Sequence, residues 1–288
     1  MMCRADETPV SDRADQAVSA HGEAARPSVV LICHEDDRID AEGLSAWLAS
    51  TMRLVGIVLV RESPGRSFVK ARREIRRVGW WRFADVVAFR LYYRLRRARR
   101  DAHWAERELA QLRARYPADT TGVERLRVRD PNCAEVRAFL SRLGSDLVIA
   151  RCKFILEREI FQIPARGTYV LHPGVCPEYR NAHGCFWALV NRDLERVGMT
   201  LLRVDDGVDT GAVLLQASCP FDERCESPMM IQYRVVLENL DRIAETLRKA
   251  STEEASILPV KDRESRAWGQ PWLSAYLKWR WTLATETR

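Results

Sequence analysis

The stretch "SVVLICHEDDRIDAEGLSAWLASTMRLVGIVLV" (residues 28–60) decides the fold class. Its first part, "SVVLICH" (28–34), is a continuous apolar run rich in β-branched residues, as expected of a strand covered on both faces. "IDAEGLSAWLASTM" (39–52) then spaces its apolar residues as a helix does. "LVGIVLV" (54–60) is a second buried strand. Two parallel strands need a crossover between them, and a helix of this length supplies one. The reading is a parallel βαβ unit.

The alternation resumes further on. "VERLRV" (123–128), "DLVIAR" (146–151) and "GTYVLHP" (167–173) read as strands. A helix over 132–144 separates the first two, opening on Asn132 as N-cap and closing on Gly144. "GCFWALVNRDLERV" (184–197) is helical, and "GMTLLRVDDG" (198–207) and "GAVLLQASC" (211–219) are two final strands joined by a tight loop. A last helix starts at Ser227 with Pro228 in its first turn and runs to about 249. The sum is six or seven strands, mostly parallel, with helices between them. That predicts an α/β doubly wound, Rossmann-like sheet. Ligands of such sheets bind beyond the carboxyl ends of the strands.

Composition narrows the class. The chain has 288 residues, is 47% hydrophobic and 30% charged, and carries a formal net charge of +6. That excess is too small to argue for nucleic acid by itself, and suits anionic small molecules equally well. Eight cysteines form no Cys-x-x-Cys pair, so no metal site is expected. Residues 1–27 contain no apolar core segment and read as a disordered tail rather than a secretory signal. No apolar run is long enough to span a membrane. A cytoplasmic protein is expected, with its main domain over 28–255 and a Trp-rich tail over 256–288 that packs back on it.

Residues 66–115 interrupt the rhythm. They hold almost no turn residues and read as two or three helices inserted into the domain. Between Arg72 and Arg100 stand eleven arginines and two acids, Glu74 and Asp85. The apolar positions include Trp80, Trp81, Phe83, Phe89, Leu91, Tyr92 and Tyr93. Such a segment suits a solvated face packed on the domain, a dimer or ligand-binding surface, an anionic membrane, or a nucleic-acid backbone.

The chemistry-bearing residues cluster late. His172 ends a strand and is followed by Pro173, which biases it toward extended geometry. The one acidic turn after a later strand holds Asp205, Asp206 and Asp209, with Gly207 and Gly211 allowing tight turns. A carboxylate beside a histidine orients the ring and favours its charged form.

These residues carry a resemblance. His172-Pro173-Gly174, Pro177-Glu178-Tyr179-Arg180, Trp187-Ala188, Gly198-Met199-Thr200 and Val204-Asp205-Asp206-Gly207-Val208-Asp209-Thr210-Gly211 resemble, in order and spacing, the signature of the folate-dependent formyltransferases. The resemblance implies that fold and a reaction, transfer of a formyl group from N10-formyltetrahydrofolate as co-substrate to an amine. It implies that His172 faces the developing oxyanion and assists proton movement, and that Asp209 holds the histidine's charge. It places the pterin against backbone around Phe154, Ile155 and Leu156 and around Val204, Asp205, Asp206 and Gly207. The family has an asparagine two residues before the histidine. Here that residue is Val170, which has no donor, and Asn181, in the loop beyond Arg180, is an amide that could replace it.

Seventy-two residues follow Gln216, and they read as a helix and a tail rather than as the second domain that tRNA-formylating members carry. The expected acceptor is therefore a small-molecule amine, such as an amino-sugar nucleotide or a secondary metabolite, with phosphates suited to the insertion's arginines. A homodimer is possible on this reading. The alternative is a non-catalytic binding protein that keeps the fold, for which Val170 speaks.

Overall fold

The computed structural model describes residues 26–61, 64–252 and 254–286. The expected disordered tail lies, but for its last two residues, outside that range. Strand β1 (Ser28–His34) leads through a π-helical turn (Ile39–Leu44) into α1 (Ser45–Thr51) and β2 (Arg53–Val60). Helices α2 (Pro64–Arg96) and α3 (Ala98–Arg115) form the insertion, with α2 kinked at Gly79, whose φ is 80°. Then come β3 (Glu124–Val128), α4 (Ala134–Leu143), β4 (Leu147–Arg151), the single turn α5 (Arg158–Phe161) and β5 (Thr168–His172).

A short β6 (Arg180–Asn181), α6 (Gly184–Val190), β7 (Met199–Arg203) and β8 (Val213–Ala217) follow. The chain ends with α7 (Pro228–Leu237), α8 (Leu240–Ser251), β9 (Ala267–Trp268) and α9 (Leu273–Thr285).

Seven strands make one sheet in the order β3-β2-β1-β4-β5-β7-β8. The pairs from β3 to β5 are parallel, while β7 runs antiparallel to both β5 and β8. This is the doubly wound, mostly parallel sheet that the apolar runs predict. The strand order reverses between β1 and β4, so their carboxyl ends border the crevice where such sheets hold ligands.

Alternate side chains separate two cores. Val29, Leu31, Ile57, Ile149, Tyr169 and Leu171 face one core with α1, α3, α6, α7 and α8. Val30, Ile32, Val58, Val148 and Ala150 face the other, which is covered mainly by Val136, Phe139 and Leu140 of α4 and Ile160 and Phe161 of α5. The second face is thinly roofed over β5, and that is where Val170 and His172 point.

Local chemistry corrects several sequence-based boundaries. Asn132 is not the N-cap of α4; Cys133 is, and Asn132 instead donates to the Ile155 carbonyl at 3.0 Å and accepts from the Glu157 N–H at 2.9 Å. The helix expected over 184–197 stops at Val190, because Arg192 turns left-handed (φ 60°) and the Asp193 N–H bonds back to the Ala188 carbonyl at 2.9 Å. The helix expected to run from Ser227 to 249 does begin on Ser227, whose side chain accepts from the Met230 N–H at 3.1 Å. It breaks at Asn239, whose amide donates to the carbonyls of Val235 and Ser218 at 2.9 and 3.1 Å.

The insertion is tied down by Asp101, whose carboxylate accepts from the hydroxyls of Tyr93 on α2 and Ser227 at the start of α7. The C-terminal residues pack on the domain through aromatics. Trp268 stacks on Trp187 (4.9 Å between centroids) and Tyr179 (5.7 Å), and Trp279 is buried beside Tyr276. Trp279→Ala should therefore destabilise the protein by about 3–5 kcal/mol, whereas Trp281→Ala, at an exposed position, should change stability by no more than about 0.5 kcal/mol. Chemical denaturation of the two variants measures both.

Candidate active site beyond the ends of β1, β4 and β5

His172 is the last residue of β5 and is 4% exposed. Its Nε2 lies 2.8 Å from the Tyr179 carbonyl oxygen, which only accepts, so Nε2 carries a hydrogen. Its Nδ1 lies 3.4 Å from Oδ2 of Asp209. Acceptors on both sides leave the ring doubly protonated. Burial alone would push the imidazole's pKa down. The Asp209 carboxylate, with smaller help from Cys176 and the Tyr179 carbonyl, reverses that and raises it to about 10.

Asp209 reaches His172 by an unexpected route. Because β7 is antiparallel to β5, Tyr169 pairs with Arg203 and His172 with Thr200. The acidic loop after β7 thus leaves the sheet at the amino end of β5, not at the histidine's edge as its strand-end position suggests. The loop folds back along the thinly roofed face to bring Asp209 to the ring. The Arg180 guanidinium holds this return by donating to the Val208 carbonyl at 2.8 Å. The Asn181 N–H donates to Asp209 Oδ2 at 2.7 Å. Asn181, His183 and Asp209 all adopt left-handed backbone, with φ of 75°, 56° and 51°. These are the non-glycine types that tolerate it best, and a cluster of them marks a constrained site.

The other sequence-derived residues fall into place around this loop. Asp205 closes a local turn, accepting from the Gly207 N–H at 3.0 Å and the Thr210 hydroxyl at 2.8 Å. Asp206 pairs with Arg158, Nε to Oδ1 being 3.1 Å, and so ties the loop to the segment around residues 154–156. Phe154 and Leu156 are buried in one apolar cluster with the partly buried Val170 and Val204, while Ile155 is exposed. Asn181 does not offer its amide toward Val170: its Nδ2 donates to the Trp268 carbonyl across the β6–β9 pair.

A second part of the site is absent from the sequence reading. At the reversal of strand order, His34, Asp36, Asp37, Arg38, Lys153 and Tyr233 help line a cleft of about 390 Å³. The Lys153 N–H donates to His34 Nε2 at 2.9 Å. Asp37 accepts from the Tyr233 hydroxyl. Behind it the buried Asp40 faces Arg151, Oδ1 to Nε 3.2 Å, and Arg151 Nη1 donates to the Leu171 carbonyl at 2.7 Å. Burial, reinforced by Asp37 and opposed by Arg151, raises the Asp40 carboxyl to about 7. Arg151, at the end of β4, thus joins the cleft's border to the adjacent strand β5. The signal was present: a buried strand ending on His34 and followed at once by three acids, Glu35, Asp36 and Asp37.

Among the described residues, the insertion contributes Ala102, Ala105, Glu106 and Leu109 to this cleft and no arginine. The arginines expected to receive acceptor phosphates therefore do not line it. A smaller cleft of about 240 Å³ beside Tyr179 is built of side chains that satisfy one another: Arg263 on Glu178 at 2.6 Å and the Tyr179 hydroxyl on Asp193 at 2.9 Å.

Removing the Asp209 charge tests the electrostatics. A histidine raised to about 10 from 6.5 contributes stability that is fully present below about pH 6.5 and lost as pH rises through about 10. In Asp209→Asn the imidazole should titrate at lower pH, read from its NMR shifts. The stability gap to wild type should be largest below about pH 6.5 and narrow toward pH 10.

The sequence profile described as formyl transferase matches residues 100–246, just over half of the chain. The methionyl-tRNA formyltransferase of Synechococcus sp. (strain JA-3-3Ab) is 34% identical over 146 residues, which are 50% of this chain and 43% of that protein. The cytosolic 10-formyltetrahydrofolate dehydrogenase of Mus musculus is 35% identical over 96 residues, 33% of this chain and 10% of that one. The matches thus span less than half the length of these curated relatives. In structure, glycinamide ribonucleotide transformylase 1 from Symbiobacterium toebii superposes with a TM-score of 0.52 at 14% identity, covering 82% of this chain and 92% of its own, which establishes a shared fold.

Proposed function

The chain belongs to the formyl transferase family, and from that premise we propose that it moves a formyl group from N10-formyltetrahydrofolate to the amine of a small molecule. The observation that carries the reading is the buried His172–Asp209 pair at the end of β5, in a sheet whose β1 and β4 ends border a small-molecule-sized cleft.

The apolar side chains of Phe154, Leu156, Val170 and Val204, clustered beside the acidic loop, are of the kind that packs against a flat heteroaromatic ring such as a pterin. When bound, the folate supplies the activated one-carbon unit. On the protein's side, His172 stays charged through neutral pH and places positive charge where an oxyanion develops. For the same reason it is a poor base at neutral pH, so the proton leaving the amine passes to another acceptor, Asp209 or water. The cleft sets Asp36, Asp37 and Glu106 against Arg38 and Lys153, and Glu106 is paired with Arg38, so it presents both signs of charge. Such a lining favours a zwitterionic or cationic amine, whose ammonium group Asp36 can face.

His172→Ala should lower turnover of formyl donor about 10²–10³-fold, measured with the purified protein and a panel of amines. Asp36→Asn should raise KM for a cationic acceptor while leaving kcat unchanged.

One observation favours a second reading, a binder without turnover. Val170 presents no donor on the histidine's face, and Asn181 is engaged elsewhere. Val170→Asn decides between them. A gain in turnover of about tenfold or more supports a working site that lacks one donor. Tight binding of a reduced folate, with no turnover in either form, supports the binder.

A further inference from the structure

Helix α2 beyond its Gly79 kink carries two apolar stripes. Val86, Phe89 and Tyr93 face the domain, with Phe89 set edge-on to Phe186 and Tyr276 at 5.5 and 5.6 Å. At 100° per residue, Trp80, Val87, Leu91 and Leu95 project from the opposite side of the same helix. They are exposed, Leu95 by 73% and Trp80 by 73%, and the neighbouring Trp81 by 93%. A helix packed on a core by one face needs no apolar residues on the other. Residues 80–96 extend the outer stripe over about 25 Å, and the exposed Trp281 lies on α9, which packs against α2.

Charge selects the occupant. The two acids of the segment are already engaged: Glu74 holds Arg77 at 2.6 Å, and Asp85 lies 3.7 Å from Arg82. Arg90 and Arg94, which flank the outer stripe, have no carboxylate partner among the described residues and are exposed. Two copies meeting through this face would oppose two arginine-rich surfaces, which disfavours a homodimer here. A nucleic acid would use the arginines and stack on tryptophan, but would gain nothing from exposed Val87, Leu91 and Leu95. A lipid interface uses all three features: arginine heads at the phosphates, tryptophan at the headgroup level, aliphatic side chains in the acyl boundary.

We propose that the outer face of α2 docks this protein on the surface of an anionic membrane, lying in the interface without crossing it. No helix among the described residues is long and apolar enough to cross. The attachment is peripheral and rests on the helix alone, so it stands whatever reaction the His172 site performs.

The test is co-sedimentation of the full chain with vesicles of phosphatidylcholine alone, or with about one-third phosphatidylglycerol. Binding is expected to the anionic vesicles only, and to weaken as salt is raised. Leu91→Glu/Leu95→Glu should reduce the bound fraction about tenfold or more, with its melting curve unchanged because both residues are exposed. Equal binding to neutral vesicles, no binding, or binding that the double variant retains would each overturn the proposal. So would a lipid-free dimer that the double variant dissolves, or an RNA oligonucleotide that binds more tightly than the vesicles do.

Discussion

The contact between His172 and Asp209 organises this end of the molecule. A buried imidazole normally sheds its proton, since burial penalises charge. Here a carboxylate at 3.4 Å and a carbonyl at 2.8 Å hold the proton in place. Each requirement recruits neighbours. For Asp209 to arrive, the loop after β7 must double back over the sheet, and Arg180 and Asn181 must hold it there. For the Tyr179 carbonyl to arrive, Gly174 and Gly184 must approach closely: a Cβ on Gly174 would fall 2.7 Å from His172 Nε2 and from that same carbonyl oxygen. The aromatic stack of Tyr179, Trp268 and Trp187 then fixes the tyrosine from outside the sheet.

The antiparallel β7 explains the economy of this arrangement. Had β7 run parallel to β5, its following loop would have stood at the histidine's edge in the open. The reversed strand makes the loop cross the open face of β5 instead, so one segment both roofs Val170 and delivers the carboxylate. Asp206 and Arg158 clamp that roof to the next segment. The left-handed conformations at Asn181, His183 and Asp209 are the local cost of so tight a return.

Much of this was legible in the sequence, and the reasons differ by element. The buried strands announce themselves because parallel strands covered on both faces are continuously apolar, as "VVLIC" and "LVIA" are. His172 and Asp209 were legible through their companions, Pro173-Gly174 and Asp205-Asp206-Gly207. Not legible was how the acidic loop reaches the ring, because strand direction is a tertiary property. The helix ends at Val190 and Leu237 were missed for a related reason. Asn239 breaks its helix by bonding to Ser218, twenty-one residues away, and no local pattern encodes that partner. The cleft at the ends of β1 and β4 was missed because its residues come from four separate segments.

The distribution of charge gives the insertion its meaning. Overall the chain carries only a modest positive excess, yet α2 and the start of α3 hold eleven arginines against two acids. Among the described residues, none of those arginines lines the cleft, where α3 presents alanines, a leucine and Glu106. An insertion built to grip an anionic substrate would do the reverse. The segment instead separates two surfaces of different character: a cleft of mixed charge at the strand ends, and a cationic, tryptophan-bearing helix face directed outward. Any molecule entering the cleft meets paired charges of both signs, while any body resting on α2 is selected by arginines and apolar area. One helical hairpin therefore allows the domain to meet an anionic surface without drawing that surface's charge into its site.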